Sequence, residues 1–160
     1  MKIGHIDLEK RPLLIAEIGN NHEGNADVAL QLADAAIEAG ADAVKVQIID
    51  PVRLVNRSEE QRIAQLTRYR LPRDVFLRMA ERVRSRGGLF MASVFDCNSL
   101  QQWAPELDAI KIASGDLDFD PLLKVAAGSG KPTPRSWGRS SPRSHWVMAS
   151  RPPTCSAPPT

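Results

Sequence analysis

Short apolar runs alternate with helical apolar stripes along the first 130 positions. Leu13-Leu14-Ile15-Ala16-Glu17, Ala43-Val44-Lys45-Val46-Gln47, Leu89-Phe90-Met91-Ala92-Ser93 and Ala109-Ile110-Lys111-Ile112-Ala113 read as buried strands. Ile48 and Ile49 extend the second. Helical spacing fills the intervals. Ala29, Leu32, Ala33, Ala36 and Ile37 form one stripe, with Asn25 as its N-cap, Asp27 in the first turn and Gly40 as the stop. Val75, Phe76, Met79, Ala80 and Val83 form another, opened by Pro72 and ended by Gly87-Gly88. Ser58-Glu59-Glu60-Gln61 reads as a capping box for a short helix over 59–69. Two more short helices are predicted, from Asn98 to Gln102 and from Pro121 to Ala127. Residues 1–12 read as a polar lead-in.

Strand, helix, strand with short connections is the unit of a parallel sheet. Four such units in about 130 residues match the density of a (β/α)8 barrel, which needs roughly 250 residues. The expected fold is therefore α/β, the N-terminal half of a TIM barrel. A doubly wound sheet is the other arrangement of such units, but no Gly-rich dinucleotide or P-loop signature is present.

After Lys131-Pro132 the grammar changes. Seven of the twelve prolines fall in the last thirty residues, and apolar periodicity disappears into Ser, Arg and Pro. The expected division is a partial barrel domain over 1–132 and a disordered, non-native tail over 133–160. A natural disordered tail and a shifted reading frame both produce such text. The change comes where a fifth strand is due, which favours the frameshift and a truncated barrel.

This division changes the meaning of the charge. The formal net charge is +2, but Lys131, Arg135, Arg139, Arg143 and Arg151 all lie in the last thirty residues, which contain no acid. Without those five, 16 basic residues face 19 acidic ones, so the body carries −3. No nucleic-acid partner is inferred from the overall pI. No run approaches membrane-spanning length, and charges at Lys2, Asp7, Glu9, Lys10 and Arg11 interrupt any secretory core at the start. Cys97 and Cys155 offer neither a disulfide framework nor a metal spacing. The expected location is cytoplasmic.

The candidate chemistry sits where polar residues interrupt the apolar strands. Glu17, Lys45, Gln47, Ser93, Lys111 and Ser114 all lie near C-terminal strand ends, where barrel enzymes carry their active sites. Two lysines converging with the hydroxyls of Ser93 and Ser114 suit a small polyanion such as a phosphorylated carboxylate. Glu17 and Gln47 suit a hydroxyl-rich substrate. Each lysine has a plain alternative, pairing with Glu17 or Asp116. Glu17 lies in the turn Ala16-Glu17-Ile18-Gly19-Asn20-Asn21-His22-Glu23-Gly24, where Gly19 and Gly24 permit a tight bend and a close approach to a ligand. His22 is expected on an exposed turn as a structural hydrogen-bonder. Asp96, Asp116 and Asp118 are expected as turn or cap residues. The arginine-dense stretch from Arg53 to Arg86 is interleaved with acids and reads as a solvated helix face.

Three of these segments together resemble the sialic acid synthase family. The Ala16–Gly24 turn is similar to its opening motif. Ala39-Gly40-Ala41-Asp42-Ala43-Val44-Lys45-Val46-Gln47 resembles its second-strand motif. Lys111-Ile112-Ala113-Ser114-Gly115-Asp116 resembles its fourth, and Gly130-Lys131-Pro132 its lead into strand five. The resemblance implies a barrel enzyme that condenses phosphoenolpyruvate with an N-acyl sugar such as N-acetylmannosamine, making a nonulosonic acid and phosphate. It also implies a divalent metal, Mn²⁺ or Mg²⁺, a further small antifreeze-like domain and a homodimer in full-length relatives. By the same resemblance Lys45, Ser93, Lys111 and Ser114 bind phosphoenolpyruvate, and Glu17 and Gln47 contact the sugar, with Glu17 the catalytic candidate. The departures are specific. Ala92-Ser93-Val94-Phe95-Asp96 stands where the family has Ser-Thr-Pro-Phe-Asp, and the fifth-strand Ser-Thr-Gly is absent. The family's metal-binding histidines belong to later strands, so no metal ligand is assigned and His145 has no role. Three functions compete: a synthase of this type whose truncated chain is inactive, a related phosphoenolpyruvate-dependent sugar-acid synthase, and a non-catalytic phosphate- or sugar-binding module.

Overall fold

The computed structural model describes residues 2–134. Its centre is a four-stranded parallel sheet in sequential order: β3 (Ile15–Gly19), β4 (Ala43–Ile48), β5 (Leu89–Val94) and β6 (Ala109–Lys111). The longer helices are α1 (Ala26–Glu38), α3 (Glu60–Tyr69) and α4 (Arg73–Ser85), with shorter α2 (Pro51–Leu54), α5 (Cys97–Trp103) and α6 (Asp120–Gly128). This is the α/β half-barrel expected from the pattern.

Alternation along the strands assigns each side chain to one of two faces. Val44, Val46, Ile48, Phe90, Ala92, Val94 and Ile110 belong to the larger core, shared with Ala29, Leu30 and Ala33 of α1 and with Val75, Phe76, Met79, Ala80 and Val83 of α4. All five expected α4 positions are buried. Asn25 caps α1 as expected, its Oδ1 accepting from the amides of Asp27 and Val28 at 3.0 and 3.2 Å. Asp96 caps α5, accepting from the Ser99 amide at 2.9 Å. The arginines of α4 meet acids, among them Arg82 with Asp34 and Arg84 with Asp108, as a solvated face requires.

The other sheet face has two halves. Ala43, Leu89, Met91 and Ala109, at the N-terminal strand ends, join Ile3 and Ile6 in a second apolar cluster. Those isoleucines come from β1 (Lys2–Ile3) and β2 (Ile6–Asp7), an antiparallel hairpin that plugs the base of the sheet. The first residues are therefore not a polar lead-in. Ile3 and Ile6 are 1% and 2% exposed, because each turns its side chain onto the sheet. Gly4 makes the two-residue turn, with φ 57° and a Cβ position only 2.6 Å from the Leu89 side chain. Arg11 ties the following segment to the start of β4 through a bidentate pair with Asp42, two bonds of 2.7 Å. Asp42 also accepts from the Leu14 amide, and the two contacts together hold its carboxyl below the usual carboxylate range.

Two local expectations are corrected, and one element is added. The capping box does not form: the Ser58 hydroxyl donates to Asn56 Oδ1 at 3.0 Å, and α3 begins without a side-chain cap. Pro72 stands at the position before the first turn of α4, not inside it. The segment after β4 contains the additional α2, capped by Asp50, whose Oδ1 accepts from the Val52 amide. At the far edge, the amides of Ile110 and Ile112 donate to the carbonyls of Pro132 and Pro134 at 2.9 and 3.0 Å. Donation at a two-residue interval is the spacing of a parallel neighbour. Neither proline has an N–H to return, which limits the ladder to one direction. Thr133 is buried there. The tail expected from 133 lies outside the described residues from 135 onward.

Candidate active site

The upper half of the hairpin-capped face carries the polar residues. In the parallel register Glu17 stands beside Lys45, Gln47 beside Ser93, and Ser93 beside Lys111. All five project from the same face as Ala43, Met91 and Ala109, but at the C-terminal end. Lys45 forms an ion pair with Glu17 and donates to Ser93 Oγ at 3.3 Å. Lys45 and Ser93 are buried, whereas the Glu17 carboxylate is about half-exposed. Lys111 Nζ donates to the Ile112 carbonyl at 2.8 Å. Burial, and then the nearby Lys45 charge, push the Lys111 ammonium below its ordinary value, with Glu17 opposing them. The two cations thus share one field, and a bound anion would relieve their repulsion. Ser114 opens the 3-10 turn over Ser114–Asp116 and is exposed. Asp116 lies in that turn, where burial and Asp118 raise its carboxyl above the ordinary value. The expected Lys45–Glu17 pairing is present.

The turn after β3 is built by backbone conformation. A bulge shifts the register between Glu17 and Gly19, and φ is positive at Gly19, Glu23 and Gly24 (56°, 49° and 85°). A Cβ at Gly24 would collide with the Arg68 carbonyl oxygen at the end of α3. The close approach at Gly24 is therefore to this chain's own backbone, not to a ligand. His22 is also not on an exposed turn: it is 2% exposed. The Gly24 amide donates to its Nδ1 at 3.1 Å, so Nδ1 is the acceptor and Nε2 carries the proton. Nε2 is buried without a partner among the described residues. Burial lowers the imidazole's pKa, which favours this neutral form.

The sequence-derived site set omitted Asn20. Its Nδ2 donates to Gln47 Oε1 at 3.2 Å, joining the turn to β4. Both residues line a cavity of about 200 Å³ that continues between Leu66, Phe76 and Trp103. Neither Lys45 nor Lys111 lines that cavity.

A family model described as the NeuB family matches residues 32–146. The chain belongs to the NeuB family. Its similarity to solved structures includes the N-acetylneuraminic acid synthetase of Leptospira borgpetersenii, at TM-score 0.79 and 29% identity, covering 89% of this chain and 50% of that one. It is 35% identical over 132 residues to the spore coat polysaccharide biosynthesis protein SpsE of Bacillus subtilis, covering 74% of this chain and 35% of that protein. It is 29% identical over 154 residues to the pseudaminic acid synthase of Campylobacter jejuni, covering 86% and 44% respectively. The chain thus spans less than half the length of these two curated relatives. No helix among the described residues is long and apolar enough to cross a membrane.

A divalent metal is implied by the resemblance to the NeuB-type synthases. Among the described residues no three His, Cys, Asp or Glu side chains converge. Glu17, the carboxylate on the polar face, is already paired with Lys45. The described residues do not fit a divalent cation, so no chemical step is routed through one.

Proposed function

We propose that this NeuB-family chain carries the phosphoenolpyruvate-contacting half-site of a synthase that joins phosphoenolpyruvate to an N-acyl sugar such as N-acetylmannosamine. The observation that carries this reading is the Lys45–Ser93–Lys111 group on one face of the strand ends, with two cations in one field. A phosphorylated carboxylate supplies two anionic groups for two ammonium groups. Ser93 and Ser114 add hydroxyl donors. Gln47 orients the sugar, and Glu17 handles a proton at the aldehyde end. In the reaction C3 of phosphoenolpyruvate bonds to the aldehyde carbon and the aldehyde oxygen gains a proton. Water adds at C2, the bond from C2 to the phosphate oxygen breaks, and inorganic phosphate leaves a 2-keto acid.

The same reading assigns binding without turnover to the 160-residue polypeptide assayed alone. Among the described residues β3 has a strand neighbour on one side only, and these residues do not fit the metal. These two observations favour a phosphate- or sugar-binding module as the second reading for this polypeptide. The reaction, the cytoplasmic location and the homodimer belong to the proposal for the whole protein.

The test is titration of phosphoenolpyruvate onto the purified chain, followed by NMR of the lysine side chains, with phosphate release measured alongside in N-acetylmannosamine and Mn²⁺. Shifts at Lys45 and Lys111, absent for pyruvate, are expected. No shift at either lysine at millimolar ligand rejects the reading. Phosphate release well above that of a Lys111→Ala control rejects the assignment of binding without turnover.

A further inference from the structure

The turn after β3 is strained, and the His22 ring is buried inside it. Glu23 holds a positive φ of 49° although it carries a side chain. Such a conformation persists where the surrounding contacts over-determine it. The Gly24 amide donates to His22 Nδ1 at 3.1 Å, and a Cβ at Gly24 would strike the Arg68 carbonyl oxygen, so the turn is seated against the end of α3. The Asn25 amide donates to the His22 carbonyl at 2.8 Å, and the Glu23 amide to the Asn20 carbonyl at 3.0 Å. The same turn sets the Asn20 side chain against Gln47 of β4.

We propose that His22 is a proton-operated latch: a second proton on its ring releases the Gly24 amide, opens the turn locally and withdraws Asn20 from Gln47. The ring serves the turn only in its neutral form, because Nδ1 must lack a proton to accept from Gly24. Nε2 is buried with no partner among the described residues. A second proton would set the Nδ1–H and the Gly24 amide against each other, donor to donor. It would also place a charge on a side chain that is 2% exposed. The ionisable groups on the segments that form or touch the turn are Glu17 and Glu23 on its own segment, Lys45 beside Glu17, Asp27 in the first turn of α1, and Arg68 and Tyr69 at the end of α3. None of them shifts the imidazole, whose lowered value has burial as its cause. The sign follows. Below 6.5, the ordinary histidine value, the open turn binds the proton and the closed one does not. Opening then becomes about tenfold more favourable per pH unit, until the closed turn's own lower value is reached.

The experiment is NMR of the full 160-residue chain without ligand, from about pH 7.5 to about pH 4.5, a span that brackets the ordinary histidine value. At the upper end the ring nitrogen shifts should show Nε2 protonated and Nδ1 bare. On acidification the ring should titrate below 6.5, and the Gly24 and Asn25 amides and the Asn20 side-chain amide should move with the same midpoint. The amides of β4 and α4 should stay in place. His22→Asn keeps a side-chain acceptor near the Nδ1 position but cannot take the proton, so its turn should remain closed across the range. His22→Ala has no acceptor, so its turn should be open throughout, with the fold retained by circular dichroism. If His22→Ala fails to fold, the parent and His22→Asn still decide the point. Titration of the ring with no change at Gly24 overturns the latch, as does acid opening of His22→Asn like that of the parent. Loss of the β4 and α4 signals at the same pH overturns a local switch. So does a ring that stays neutral to the lowest pH with the turn closed. No ligand enters the measurement, so the latch and the phosphoenolpyruvate reading fail independently.

Discussion

The two halves of the polar-and-apolar sheet face are made by the same strands and differ only in height. Met91 and Ala109 at the base join Ile3 and Ile6 under the hairpin, whereas Ser93 and Lys111, two residues further along, stand at the top. One step of the two-residue period therefore separates a packed base from a charged rim. The base gains from excluding water, and the rim holds two ammonium groups that disfavour each other. Stability and candidate chemistry are separated along each strand, as in closed barrels. Changes at the base should alter folding with little effect on ligand contacts, and changes at the rim should do the reverse.

The largest expected effect is at the base. Ile6→Ala removes a side chain that is 2% exposed and leaves a cavity against Leu89 and Met91. A loss of about 2–5 kcal/mol is expected in urea unfolding. The phosphoenolpyruvate affinity of the remaining folded chain should stay near the parent value. A variant that unfolds normally but has lost the ligand would break the separation between the halves.

At the rim, Lys45→Met and Lys111→Met should each weaken phosphoenolpyruvate binding by about 10–100-fold, the equivalent of one charge-assisted contact of about 1.5–3 kcal/mol. Titration calorimetry distinguishes them further. Lys45→Met also leaves Glu17 without its partner, so the freed carboxylate adds repulsion toward the ligand. The Lys45 variant is therefore expected to bind more weakly than the Lys111 variant. The opposite order would mean that Lys45 serves Glu17 and not a ligand.

The two halves were unequally legible in the sequence. Glu17, Lys45, Gln47, Ser93 and Lys111 are visible because each interrupts an apolar strand near its C-terminal end, and alternation alone places all five on one face. The stripe on α4 is visible for the same kind of reason, since 3.6-residue spacing marks a single buried side. The hairpin was missed although Ile3-Gly4-His5-Ile6 has the form of a two-residue turn between apolar positions. Strands of two residues carry no periodicity to detect. Asn20 was missed because its partner is 27 positions away and a bulge after Glu17 decides where it points. The apparent capping box failed because Asn56, two residues earlier, competes successfully for Ser58. The first feature is long-range, whereas the second turns on a competition between neighbouring residues that the motif alone does not settle.

The smallest expected effect sharpens the comparison most, because it asks whether the rim costs stability at all. Lys111 is half-buried and its pKa is lowered, first by burial and then by Lys45. A lysine with a lowered folded value is protonated in both states at neutral pH, so folding carries the full penalty of placing its charge there. As pH rises through the folded value, the unfolded chain binds the additional proton and the penalty shrinks. Lys111→Met removes the charge and keeps much of the side-chain volume. It should stabilise the chain at pH 7, by an amount within the roughly 0.5–2 kcal/mol usual for single stabilising substitutions. The advantage should diminish as pH rises from the folded Lys111 value toward 10.5, its ordinary value. Urea unfolding of both proteins across pH 7–10.5 measures this. A less stable Lys111→Met at pH 7 would show that the contacts of this ammonium, the Ile112 hydrogen bond at 2.8 Å and the attraction of Glu17 among them, outweigh the burial. The rim would then contribute to folding, and the division between the two halves of the face would fail at this residue.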